Sequence, residues 1–309
     1  MTAALRCEKL VKKYGDVTAV DGLDLTIERG ECFGLLGPNG AGKTTTVEIF
    51  EGLNDPSSGS VEVLGLRWAT DERALRERIG LSLQETNFPE RLTVREVLAL
   101  FRSFFSKGRT VDEVLDLVSL REKQGTWTEK LSGGQKQRLA VAVGLVGDPE
   151  LLFLDEPTTG LDPQSRRQLW DIITSFREAQ RTVLLTTHYM DEAERLCNRV
   201  AVVDKGKIIA LGTPRELIES LGGPEIVEVK TSRSGSVQTT QKPGELPALA
   251  GVHSSKPITG GYLFTVEQLH IALPEILRVL GPLGIENLST RRATLEDVFV
   301  HLTGRKLRE

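Results

Sequence analysis

A chain of 309 residues is long enough for about two soluble domains. Its 39% hydrophobic and 27% charged residues, with a net charge of -4, exclude a disordered or collagen-like chain. They leave no excess of positive charge for a polyanion, so nucleic acid is not an expected partner.

No uncharged apolar run approaches the roughly 20 residues of a membrane-spanning helix. The opening MTAALRCEKLVKKYG is broken by charges where a secretory signal needs an apolar middle, so a cytoplasmic chain is expected. In chain order, residues 25–27 and 32–36 predict two short strands joined by a turn around Gly30. The second strand runs into Gly37, Gly40 and Gly42, after which residues 46–50 predict a helix. Residues 61–64 and 79–83 predict further strands. From Thr93 to Leu120, apolar side chains such as Val94, Val97, Leu98 and Phe101 recur at helical spacing, which places a helical subdomain at about 86–145. The wholly apolar runs 151–154 and 182–187 predict strands buried on both faces, with helices at 165–179 and 190–197 between and after them. Alternating strands and helices imply an α/β fold around a sheet covered on both sides. Past Leu217, glycines and prolines punctuate short alternating segments, so a boundary is expected at 220/221. A small α+β domain over 221–309 would hold strands at 226–229, 262–266 and 288–290, and helices at 267–280 and 294–303. Cys7, Cys32 and Cys197 are widely separated, form no CxxC pair, and read as buried thiols.

Gly37-Pro38-Asn39-Gly40-Ala41-Gly42-Lys43-Thr44 fits GxxxxGK[ST] between a strand and a helix. Such glycines let several backbone N–H groups converge on one phosphate, Lys43 adds positive charge toward the β and γ phosphates, and Thr44 supplies a Mg²⁺ ligand. Asp155 and Glu156 close an apolar strand at the edge that would face this loop. Asp155 is the candidate for Mg²⁺ coordination and Glu156 for the general base, a role worth typically 10² to 10⁴ in rate. His188, just past another buried strand, falls at the same edge. Leu131-Ser132-Gly133-Gly134-Gln135 precedes a helical run; Ser132 suits an N-cap, and the glycines leave the helix start open to a second anion. On that segment alone, a simply capped helix reads equally well.

Taken in order, these motifs resemble those of the ATP-binding cassette (ABC) ATPases over residues 5–220. The fold implied is a P-loop NTPase with a mixed sheet core and a helical subdomain, and the cofactors are ATP and Mg²⁺. The resemblance implies Walker A at Gly37 to Thr45, Walker B at Leu151 to Glu156, and a signature at Leu131 to Gln135. It matches Tyr14 to the aromatic that stacks on adenine and Gln84 to the Q-loop contact with nucleotide and Mg²⁺. Asp162 falls in the D-loop, and His188 is the switch histidine beside the catalytic Glu156. It also implies a head-to-tail homodimer, in which Ser132, Gly133, Gly134 and Gln135 of one cassette cover ATP held by the other. The tail Arg292 to Arg305 resembles the end of daunorubicin-resistance-type exporter ATPases. Those energise a separate, homodimeric integral-membrane permease from the inner face of the cell membrane. The stretch Phe88 to Glu96 resembles the region that receives the permease. Drug or other hydrophobic-compound efflux is the expected function. A non-transport cassette, or export of an ion, lipid or polysaccharide, stays open because the motifs read ATP and not cargo.

Overall fold

A computed structural model describes residues 3–83, 86–232 and 246–304, and the chain divides into two units, Met1–Thr213 and Pro214–Glu309. In the first unit, β1 (Ala3–Tyr14) and β2 (Val17–Glu28) form a long antiparallel pair. They are followed by β3 (Cys32–Leu36), α1 (Lys43–Phe50) and β4 (Ser58–Val63), which pairs on the far side of β1 to give the order β2-β1-β4. Next come α2 (Trp68–Arg76), kinked at Asp71, and β5 (Ile79–Ser82).

Three helices then interrupt the strands: α3 (Val94–Arg102), α4 (Val111–Leu117) and α5 (Gly133–Leu145). Each opens on a capping box, Thr93/Glu96, Thr110/Glu113 and Ser132/Gln135, in which side chain and backbone satisfy each other's orphan groups. The chain returns to the sheet with β6 (Leu151–Asp155), α6 (Pro163–Glu178), β7 (Thr182–Thr187), α7 (Met190–Leu196), β8 (Arg199–Asp204) and β9 (Lys207–Gly212). The larger sheet runs β5-β6-β7-β3-β8-β9, parallel except for β9, which is antiparallel to β8. Every residue of β3, β6 and β7 is buried, which is why they read as unbroken apolar runs. Cys7, Cys32 and Cys197 are buried and free.

The second unit begins with α8 (Pro214–Glu219), ahead of the boundary expected at 220/221. Leu217 of that helix is buried, and α8 packs with the last helix of the same unit, a long-range pairing that local composition does not reveal. β10 (Glu225–Thr231), β11 (Val252–Ile258), β12 (Gly261–Val266), α9 (Leu269–Leu280), β13 (Ile285–Arg292) and α10 (Leu295–Thr303) complete it. Its strands form an antiparallel sheet, β11-β12-β10-β13, whose Val227, Val229 and Phe264 pack with Ile276 and Leu280 of α9. No helix among the described residues is long and apolar enough to cross a membrane.

Candidate nucleotide site

Strand order alone assembles the first part of the site. β6, β7 and β3 are neighbours, with Asp155 opposite Thr186 and Leu36 opposite Thr187. The residues that follow, Glu156, His188 and Gly37, therefore leave the sheet along one carboxyl edge, where α/β sheets hold their ligands. The glycine loop is clamped there from both sides. Gly37 (φ 155°) lies so close to β8 that a Cβ would stand 2.3 Å from the Val203 carbonyl oxygen. At Gly42 (φ 101°) a Cβ would meet the Ala19 carbonyl oxygen of β2 at 2.3 Å. Gly42 caps α1 without a side chain, so first-turn N–H groups stay open to an anion. Ala41 is buried, Pro38 and Thr45 are half-buried, and Asn39, Gly40 and Thr44 are exposed.

Lys43 is only 5% exposed, and its Nζ donates to the carbonyls of Gly37 (2.9 Å) and Pro38 (3.2 Å). It also lies 3.8 Å from Glu156 Oε1. Burial pulls its pKa down, opposed by Glu156 and Asp155. Asp155 is buried as well and accepts the Thr186 hydroxyl; burial pushes its carboxyl up. Glu156 has φ 44°, a left-handed conformation that costs on the order of 1–3 kcal/mol for a residue with a side chain. Its N–H is fastened by the carbonyl (3.2 Å) and hydroxyl (2.9 Å) of Thr186. Its carboxylate meets His188 Nδ1 at 3.1 Å and the Thr159 hydroxyl at 3.2 Å. A cation, two carboxylates and an imidazole thus converge beside an open helix start.

Tyr14 is half exposed, with the Lys12 ammonium 5.0 Å from its ring centroid. Its hydroxyl accepts from Asn54, whose amide also reaches Glu48 of α1 at 3.4 Å. The signature forms a separate group. Ser132 Oγ accepts from the Gln135 N–H (3.3 Å), and Gln135 Oε1 accepts from the Ser132 N–H (2.9 Å). Ser132 and Gly133 are exposed, whereas Gly134 is buried so tightly that a Cβ would stand 2.2 Å from Ser165 Oγ. Ser165 donates that hydroxyl to Asp162 (2.6 Å), whose carboxylate caps α6. Among the described residues, no hydrogen bond or ion pair joins Ser132–Gln135 to the group around Lys43. Gln84 lies outside the described residues.

Thr186 is a site residue that the sequence reading missed. It reads as core because it sits in an apolar strand, yet one hydroxyl donates to Asp155 and receives the Glu156 N–H. The available signal was a threonine two positions before His188, on the strand paired with the Asp-Glu strand.

A family model described as ABC transporter matches residues 20–159. The Nod factor export ATP-binding protein I of Cupriavidus pinatubonensis is 40% identical, over 100% of this chain and 93% of that protein. The chain belongs to the ABC transporter ATP-binding proteins. Among solved structures, cbiO1 of Clostridium perfringens, part of the ABC transporter complex cbiONQ, aligns with TM-score 0.64 and 30% identity. It covers 72% of this ABC protein and 92% of that chain. A dimeric ATP-binding cassette in a post-hydrolysis state with ADP and Pi aligns with TM-score 0.62 and 25% identity, over 68% of this chain and 98% of that one. The fold is the P-loop fold of ABC ATPases, and this ABC protein is the ATP-hydrolysing subunit of a transporter. ABC cassettes dimerise and work with membrane permease subunits.

Proposed function

We propose that this ABC ATPase drives export through a separately encoded, homodimeric membrane permease, bound at the inner face of the cell membrane. The carrying observation is the end-to-end likeness to a Nod factor export protein, which extends through the second unit to the exporter-like tail at 292–305. The cargo we assign is a drug or another hydrophobic compound, and the subfamily is the daunorubicin-resistance type. The tail supports both. Residues 88–96 are the proposed permease contact next to the site.

Gly37 to Thr45 hold the phosphates, Lys43 stands against the β and γ phosphates, and Tyr14 stacks on adenine. The donors present fit Mg²⁺. No cluster of three or more His, Cys, Asp or Glu among the described residues forms a metal cage, but the Thr44 hydroxyl and the Asp155 carboxylate are hard oxygens. Such a pair suits an ion that arrives largely on phosphate, with Gln84 as the third donor. Bound there, Mg²⁺ would neutralise charge on the phosphates. Glu156 takes a proton from water as its oxygen attacks the γ-phosphorus, releasing ADP and phosphate, and His188 holds the Glu156 carboxylate in place. Ser132 to Gln135 and Asp162 close on ATP bound by a second cassette.

The test is to purify the native protein from detergent-solubilised membranes and identify what accompanies it by mass spectrometry. A polytopic permease is expected. Ribosomal proteins or DNA, with no membrane protein, would replace the export reading by a non-transport one.

A further inference from the structure

α1 serves the site at both ends. Its start opens on the phosphate loop, and the segment that follows it, residues 51–57, is fastened to the end of β1 that carries Tyr14. The Leu53 and Asn54 N–H groups both donate to the Glu48 carbonyl of α1, at 2.9 and 3.2 Å. Lys12 Nζ donates to the Asp55 carbonyl at 2.6 Å, the Lys13 N–H to Ser57 Oγ at 3.0 Å, and the Ser57 N–H to the Val11 carbonyl at 2.8 Å. The backbone at Asn54 is therefore held by bonds that its own side chain does not make. That side chain donates to the Tyr14 hydroxyl, and among the described residues this is the hydroxyl's only hydrogen bond. The Glu48 carboxylate, 3.4 Å from the same amide nitrogen, can only accept, which fixes the amide with its N–H groups toward both partners. The Tyr14 ring is otherwise open, 47% exposed at the end of its strand. The Lys12 ammonium covers one face of it, which leaves the other for a base.

We propose that Asn54 is a positioning residue for the adenine base: its amide fixes the plane of Tyr14 and ties it to α1, so that phosphate grip and stacking platform keep one spacing. This rests on the reading of Tyr14 as the stacking residue and adds what holds it ready. A half-exposed aromatic ring at the end of a hairpin strand turns about two side-chain torsions, and ordering it when the base arrives lowers affinity. A ring already held by its hydroxyl avoids most of that loss. Asn54 touches no nucleotide in this role and acts only through Tyr14. A purely structural role is disfavoured because the backbone bonds of residues 53–57 stay in place when the amide is removed.

The experiment titrates the full chain, with Mg²⁺ present, against ATP and against inorganic tripolyphosphate, which has no base to stack. The variants are Asn54→Ala, Tyr14→Phe, the two combined, and Tyr14→Ala. Asn54→Ala should bind ATP about 3- to 10-fold more weakly and tripolyphosphate as tightly as wild type. In hydrolysis its KM should rise by the same factor at unchanged kcat. Tyr14→Phe keeps the ring and removes the acceptor, so it should reproduce Asn54→Ala. The double variant should be no weaker than either single one, because both delete the same bond. Tyr14→Ala removes the stacking face and should weaken ATP by about 10-fold or more. Wild-type ATP affinity in Asn54→Ala, beside a weakened Tyr14→Ala, overturns this inference and leaves the stacking reading intact. Equal losses for ATP and tripolyphosphate, or additive losses in the double variant, would make Asn54 a support of the loop and overturn it as well. A Tyr14→Ala chain that binds ATP like wild type overturns both.

Discussion

Lys43 is buried with its ammonium held by two loop carbonyls and Glu156, whereas Ser132 and Gly133 stand exposed at the open start of α5. The first region is internally satisfied. Asp155, Glu156, Thr186 and His188 are locked around Lys43 by strand register and hydrogen bonds. The second region satisfies only its own cap, and Ser132 and Gly133 stay exposed on the single chain. One chain therefore closes the group around Lys43 on itself and leaves the start of α5 open. A second cassette supplies the missing contact in the proposed dimer, so closure depends on ATP and on protein concentration.

The largest expected effect lies in the buried region. Glu156→Gln removes the proposed base but keeps an isosteric side chain beside Lys43, so phosphate release should slow by about 100-fold or more, with nucleotide affinity preserved. Turnover that survives would move the base outside this group. Lys43→Ala should act on binding instead. A lost charge-assisted contact is worth about 1.5–3 kcal/mol, so nucleotide titration should show affinity falling by about 10- to 100-fold. Unchanged affinity would break the phosphate assignment of the loop.

The buried strands and the glycine loop were legible because their signals are local: apolar runs at 32–36, 151–154 and 182–187, and glycines at fixed spacing. β1 escaped notice because Arg6, Glu8, Lys9, Lys12 and Lys13 break its apolar pattern; with two strand neighbours, it still pairs along most of its length. The kinked α2 and the β8–β9 hairpin were missed as well, and β9, with its alternating exposure, shows that a mixed sheet cannot be read from buried runs alone. Of the site, the residue types that carry charge were visible in the motifs. Thr186 was hidden because its role is set by pairing with β6 and not by its own segment. The burial of Glu51 at the end of α1 was hidden too, since a glutamate closing a helix reads as solvent-facing until α2, β5 and α3 are folded over it.

Glu51 also offers a smaller and more selective probe of the first unit in isolation. Burial raises its folded pKa from 4.5 to about 8, so between those values the native chain binds a proton that the unfolded chain lacks. The stability linked to this group is full below pH 4.5 and is lost as pH rises through about 8. Urea unfolding of wild type against Glu51→Gln should therefore diverge with rising pH, the wild type losing stability relative to the variant as pH climbs toward about 9. Parallel curves would mean that the carboxylate is solvated in the free chain.

Ser132→Ala gives the smallest effect and separates the two regions most directly. The hydroxyl accepts the Gln135 N–H as the N-cap of α5, and losing a serine cap costs about 1 kcal/mol of stability. No bond joins Ser132 to the Lys43 group among the described residues, so the dilute variant should bind ATP as tightly as wild type. If the exposed signature completes the site of a second cassette, hydrolysis should fall further than the loss of stability accounts for. The deficit should appear at concentrations where wild-type turnover rises with protein, since only there does the cover contribute. An affinity loss in the dilute variant would instead place the signature and the phosphate cradle in one site of one chain.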